Sequence, residues 1–62
     1  MAQGNKYKSN LIELDAELVH ETEKAWLLNV NLIEVWLPKS RVEFDGFTVT
    51  IQEDFAQEKG II

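Results

Sequence analysis

Apolar and acidic residues alternate near the start of the chain, over residues 12–18. The apolar positions are Ile12, Leu14, Ala16 and Leu18, and the acidic positions between them are Glu13, Asp15 and Glu17. Because successive side chains of a strand point to opposite faces, this alternation predicts one strand with an apolar face and an acidic, solvent-facing face. The polar residues 20–23 predict the turn that follows.

Residues 24–30 and 32–37 predict the second and third strands. Residues 24–30 carry apolar side chains at odd and even positions alike, which is typical of a central strand covered on both faces. Asn31 predicts the reversal between the two strands. Pro38 has no amide hydrogen to donate to a neighbouring strand, so the third strand is expected to end there.

Two further strands are predicted in the second half of the chain. Residues 41–44 predict a short fourth strand, and residues 47–51 alternate apolar residues with threonines as a fifth. Between them, Asp45-Gly46 predicts a type I′ hairpin turn, in which both residues adopt positive φ.

The last ten residues predict a short helix. Residues 53–59 begin with acids and end with a lysine, which matches the helix dipole. Gly60 is expected to end the helix in the left-handed conformation, with Ile61 folding back towards Ala56. A helix of about two turns is not stable by itself, so Phe55 is expected to attach it to the sheet.

These elements together predict a mainly β fold with a short C-terminal helix. Five short antiparallel strands are expected to form a small barrel or a strongly bent meander, since closure of a sheet removes exposed strand edges. The chain has no repeat or linker, so residues 11–62 are predicted to form a single β-rich domain. Residues 1–10, rich in small polar residues, are predicted to be a flexible tail.

Charge and composition narrow the classes of function. The 62 residues include eleven acids, six bases, one histidine and no cysteine, which excludes disulfides and a cysteine/histidine zinc site. Lys6 and Lys8 give residues 1–12 a charge of +2, whereas residues 13–62 hold four bases and eleven acids, a balance of −7. An acidic domain is a poor ligand for a nucleic-acid backbone. The absence of cysteine and of any long apolar segment predicts a cytoplasmic protein with no membrane association.

The sequence predicts no enzyme activity and no cofactor. His20 stands beside acidic residues in a predicted turn, and no serine or threonine lies in a nucleophile-elbow pattern. The three glycines form no phosphate-binding loop, and the acids around Asp45 and Glu53 do not have the spacing of a calcium-binding loop.

Three acids and two tryptophans are the candidate binding residues. Glu13, Asp15 and Glu17 would be spaced about 6.6–7 Å apart along one strand face, which resembles the spacing of nucleic-acid phosphates. Such a surface could occupy a basic groove of a partner, or it could serve only as a solubilising face that protects a strand edge. Trp26 lies in an apolar run and favours the core, whereas Trp36 shares a face with Glu34 and would be an interface anchor if exposed.

Three motifs resemble those of a group of short, largely uncharacterised proteins encoded by phages and prophages. They are Glu21-Thr22-Glu23-Lys24-Ala25, Glu34-Val35-Trp36-Leu37-Pro38-Lys39-Ser40 and Glu58-Lys59-Gly60-Ile61. The likeness covers residues 11–62, and the middle motif is the most specific. This chain departs from the group at Asn31, Leu32 and Ile33, where members often carry a glycine-containing turn. The resemblance implies a viral or mobile-element origin, and small acidic phage proteins include inhibitors of host defence such as anti-CRISPR proteins.

The leading functional hypothesis is a small, acidic phage-type accessory protein that binds and inhibits a host protein. The expected target class is a nucleic-acid-handling defence complex such as CRISPR, bound through Glu13, Asp15 and Glu17 with Trp36 as an anchor. The alternative is a small barrel that binds single-stranded nucleic acid in phage replication or recombination. It would use Trp26, Trp36, Lys39 and Arg41, with Lys6 and Lys8 as additional phosphate contacts. The domain is expected to be a monomer or, because its core is small, a homodimer.

Overall fold

The computed structural model describes residues 10–62, which form six strands and one helix. The elements in chain order are β1 (Leu11–Asp15), β2 (Glu17–Glu21), β3 (Ala25–Val30), β4 (Ile33–Pro38), β5 (Glu43–Phe44), β6 (Thr48–Gln52) and α1 (Glu53–Lys59). The predicted mainly β class with one C-terminal helix is confirmed. Of the predicted tail, residues 1–9 lie outside the described residues, and the carbonyl of Asn10 accepts a hydrogen bond from the amide of Glu53 at 2.7 Å.

The strands form two antiparallel sheets, each of three strands. Their orders are β1-β6-β5 and β2-β3-β4. The prediction of a closed barrel is wrong, because β4 and β5 are edge strands of different sheets and do not pair. The count of five strands is also wrong, because the first predicted strand is divided between the two sheets.

That division falls at Ala16. The amide of Ala16 donates to the carbonyl of Phe47 at 2.9 Å, and the alanine is buried where the chain passes from one sheet to the other. In β2, the pairing with β3 skips Val19, which forms a bulge after Leu18. Leu18 and Val19 are both exposed, although Leu18 stands opposite the buried Leu28, so the apolar face predicted for residues 12–18 is not buried in β2. The turn predicted at residues 20–23 also starts later, because His20 still belongs to the strand.

Two residues at positive φ join β3 to β4. Asn31 has φ 54° and Leu32 has φ 65°, and Val30 pairs with Ile33 across this two-residue loop. Positive φ at both loop residues is the requirement of a type I′ turn, whose twist matches that of the flanking strands. The side-chain amide of Asn31 also donates to the carbonyl of Ile61 at 2.8 Å, which ties this turn to the C-terminal end of the domain.

The turn between β5 and β6 differs from the prediction. Gly46 has φ 103°, but Asp45 is not at positive φ, so the predicted type I′ turn at Asp45-Gly46 is wrong. The carboxylate of Asp45 instead accepts hydrogen bonds from the amides of Phe47 and Thr48, at 2.9 and 2.7 Å. Phe47 consequently lies in the turn rather than in the fifth predicted strand, and its side chain is 80% exposed.

One apolar core lies between the two sheets and includes residues of α1. Its buried members are Ala16, Leu28, Val30, Leu37, Val42, Val49, Ile51, Phe55, Ala56 and Ile61. The helix has the predicted bounds, and Gly60 ends it at φ 79°. The amides of Gly60 and Ile61 donate to the carbonyls of Gln57 and Ala56, the pair of bonds that defines a Schellman motif. The predicted burial of Phe55 is confirmed.

Candidate functional site

The strongest candidate for a binding surface is the side of the β2-β3-β4 sheet that faces away from the core. Residues directly opposite each other on neighbouring strands share a face of the sheet. The pairing therefore places two rows of side chains across all three strands of this side. The rows are His20, Leu27 and Trp36, and Glu17, Asn29 and Glu34. We call these six residues the outer face.

Trp36 is the largest exposed group of the outer face. The opposite side of the same sheet is occupied by core residues such as Leu28 and Leu37, which are fully buried, whereas Trp36 is 45% exposed. The imidazole of His20 packs against the indole edge to face, with ring centroids 6.1 Å apart and an interplanar angle of 88°. The part of the Trp36 indole that His20 does not cover is therefore accessible to a partner.

Two carboxylates lie beside this aromatic pair, in the neighbouring row. Glu17 and Glu34 are exposed, and they stand on either side of Asn29 in the second row. Among the described residues, the one ion pair joins Lys39 to Glu21, so neither acid of the outer face has a basic partner in that part of the chain. The outer face therefore combines an exposed indole with uncompensated negative charge.

The other two predicted acids lie on the other sheet. Glu13 and Asp15 are exposed on β1, and Glu13 stands opposite Thr50. Glu43 stands opposite Thr50 from the other side, so two carboxylates flank one polar residue here as well. The predicted acidic row is thus divided at Ala16, and Glu17 lies on the same face of the sheet as Trp36. Glu34 and His20 complete the site. The sequence shows that Glu34 and Trp36 share a face, whereas it predicts a turn at His20.

Trp26 lies on the side of the sheet opposite to Trp36. It is partly buried against the core and packs edge to face with Phe44, with ring centroids 5.6 Å apart. The ammonium of Lys39 lies 5.3 Å from the Trp26 ring and forms an ion pair with Glu21. Both residues of this part of the alternative nucleic-acid site therefore already have partners within the domain.

Arg41 is also engaged. Its guanidinium lies 4.1 Å from the centroid of the Phe55 ring, and its Nη2 is 3.5 Å from the side-chain oxygen of Gln52. Trp26 pairs with Leu37, and Trp36 pairs with Leu27. Because Leu27 directly follows Trp26 and successive residues of a strand point to opposite faces, the two tryptophans lie on opposite sides of the sheet. The four residues of the alternative hence do not form one continuous surface.

An open groove of about 540 Å³ lies where the two sheets meet. Asp15 and Glu17 line it, together with the exposed side chains of Leu18, Leu32 and Phe47. Leu32 is the most exposed of these, at 94%. The groove adjoins the outer face through Glu17 and Asn29, which line both.

Two further observations concern charge and metal chemistry. The pKa of Asp45 is lowered, mainly because its carboxylate accepts hydrogen bonds from the amides of Phe47 and Thr48. Within residues 10–62, no group of three or more histidine, cysteine, aspartate or glutamate side chains is arranged to hold a metal ion. In the same part of the chain, no helix has both the length and the apolar character needed to cross a membrane.

Comparison of the chain with known protein families, with curated proteins and with solved structures finds no match.

Proposed function

We propose that this chain is a non-catalytic binding protein that recognises a basic surface of another protein through its outer face. The observation that carries the proposal is the exposure of Trp36 in one row with His20 and beside the carboxylate row of Glu17 and Glu34. Tryptophan is enriched among the few residues that supply most of the binding energy of protein interfaces. Acids beside it favour a partner rich in lysine or arginine.

A basic partner surface is in many proteins a surface that binds nucleic acid. An acidic protein seated on such a surface would exclude the nucleic acid and inhibit the partner. The phage-like motifs extend this proposal to a host protein, with a nucleic-acid-handling defence complex as the target class, acting in the host cytoplasm. This extension rests on the resemblance and on the charge of −7 carried by residues 13–62.

Two double charge reversals provide a matched test. Glu17→Lys with Glu34→Lys changes the outer face, whereas Glu13→Lys with Glu43→Lys changes the same number of charges in an equivalent arrangement on the other sheet. The immobilised protein and both variants are used to capture proteins from host lysate. A captured protein is then purified, and its binding to fluorescent single-stranded DNA is measured with and without this chain.

The proposal predicts that the wild type displaces the DNA and that the outer-face variant does not. The variant on the other sheet should retain displacement, and binding of the wild type should weaken as salt is raised. An equal loss of DNA displacement in both variants would mean that binding depends on the total charge of the protein and not on the outer face. Quenching of tryptophan fluorescence by single-stranded DNA alone, at low salt, would instead support the nucleic-acid-binding alternative.

A further inference from the structure

The free edge of β4 presents unpaired main-chain groups beside the outer face. In an antiparallel pair, residues opposite each other alternate between hydrogen-bonded and non-hydrogen-bonded pairs. The amide of Lys39 donates to the carbonyl of Lys24, which fixes Lys24 and Lys39 as a hydrogen-bonded pair. Counting back along the register, Val35 is also hydrogen-bonded to β3, whereas Glu34 and Trp36 are not. Their amides and carbonyls therefore point away from β3.

Nothing in the described part of the chain covers these groups. β4 is an edge strand of its sheet. Within the described residues, the main-chain groups of Glu34 and Trp36 make no hydrogen bond. Pro38 also occupies a non-hydrogen-bonded position opposite β3, as Glu34 and Trp36 do. Its lack of an amide hydrogen therefore removes no hydrogen bond between β3 and β4. The edge therefore offers two donors and two acceptors, all on residues of the outer face.

Of the three other sheet edges, β1 is also in unbroken register with its neighbour but belongs to the sheet without the outer face, whereas β2 and β5 are less suited to accept a strand. β2, at the opposite edge of the same sheet, is interrupted by the bulge at Val19, and β5 has only two residues. Bulges and short edge strands are devices by which proteins avoid unwanted strand pairing. β4 has six residues in unbroken register with β3, which is the geometry that strand addition needs.

We propose that β4 binds an extended, basic segment of the partner protein by strand addition along the amides and carbonyls of Glu34 and Trp36. This inference rests on the proposed function for the charge of the partner. An opposite charge directly across from Glu34 stabilises strand pairing, and like charges there destabilise it. A second copy of this chain would bring two domains of −7 together, so a basic segment is the better occupant.

The test uses a defined probe, a fluorescein-labelled eight-residue peptide of alternating lysine and valine. Anisotropy measures its binding to the wild type, to Glu34→Ala and to Glu34→Pro. Both variants remove the carboxylate, but only proline also removes the outward amide hydrogen. Three further peptides serve as controls: two with N-methyl groups on alternate amides, one in each of the two registers, and one with glutamate in place of lysine.

The proposal predicts that Glu34→Pro binds the basic peptide about fivefold more weakly than Glu34→Ala, the effect of one lost hydrogen bond. The peptide methylated in the pairing register and the glutamate peptide should bind more weakly still. Equal affinity of the two variants would overturn strand addition, and equal affinity for the glutamate peptide would overturn the basic occupant.

Amide hydrogen exchange of the wild-type protein provides a readout that does not depend on folding of the proline variant. The amides of Glu34 and Trp36 should exchange freely in the free protein and become protected by the lysine-valine peptide. Protection that grows with protein concentration in the absence of peptide would assign the edge to a second copy and overturn the proposal. If Glu34→Pro weakens peptide binding while the charge reversals leave DNA displacement unchanged, strand addition stands and the proposed function fails.

Discussion

Replacing Leu32 with glycine is expected to stabilise the protein, although it removes an apolar side chain. Leu32 has φ 65° and is 94% exposed, so its side chain contributes almost no packing while its backbone is held in the left-handed region. That conformation costs a non-glycine residue about 1–2 kcal/mol. Glycine relieves this cost but adds about 0.4–1 kcal/mol of unfolded-state entropy. The net expectation for Leu32→Gly is a gain of about 0.5–1 kcal/mol in the free energy of unfolding.

Thermal and urea unfolding of Leu32→Gly, Leu32→Ala and the wild type measure this gain. A stabilisation of that size raises the Tm of so small a domain by about 2–8 °C. Leu32→Ala is the control, because it removes the exposed side chain but retains the Cβ atom that causes the strain. If Leu32→Gly is no more stable than Leu32→Ala, then the turn between β3 and β4 is not strained at Leu32 and the reasoning is wrong.

Two further stability experiments follow from the core and from the turn at Asp45. Leu28→Ala should lower the free energy of unfolding by about 2–5 kcal/mol, because Leu28 is fully buried, whereas Leu11→Ala, at an exposed position, should change it little in the same urea titration. The depressed pKa of Asp45 means that its ionised carboxylate stabilises the fold above the pKa of the unfolded chain, and that this contribution is lost as the pH falls through and below that value. The free energy of unfolding of Asp45→Asn should therefore fall less than that of the wild type between pH 6 and pH 2.5. An equal fall in both proteins would contradict the role of the Phe47 and Thr48 amides.

Much of the fold is encoded in local patterns that the sequence displays. The acids, Lys59 and Gly60 define α1 and its end, and Pro38 marks the end of β4. The division of the first strand depends on tertiary structure instead. Ala16 satisfies a period of two, and only its hydrogen bond to Phe47, a residue far along the chain, shows that the strand changes sheets there.

The turns show how side-chain hydrogen bonds override a sequence preference. Asp45-Gly46 is a strong type I′ signal, yet the carboxylate of Asp45 binds the next amides and shifts the turn towards Phe47. Asn31-Leu32 has no glycine, but both residues adopt positive φ, and Asn31 is held there by its bond to Ile61.

The outer face could be predicted only in part for a similar reason. Alternation places Trp36 and Glu34 on one side of β4, and it does not say which side faces the core. That choice depends on Leu28 and Leu37, whose burial is set by the second sheet and by α1. His20 joins the site only because the bulge at Val19 shifts the register of β2.

The most direct measurement of the central claim compares two exposed aromatic residues in binding to the captured, purified partner. Trp36→Ala removes the centre of the outer face, and Phe47→Ala removes an even more exposed ring from the turn between β5 and β6. Isothermal titration of each variant should show that Trp36→Ala weakens binding by at least about 30-fold, as for a residue that contributes about 2 kcal/mol, while Phe47→Ala binds as the wild type does. Wild-type affinity for Trp36→Ala, with or without a loss in Phe47→Ala, would contradict the assignment of the binding surface to the outer face.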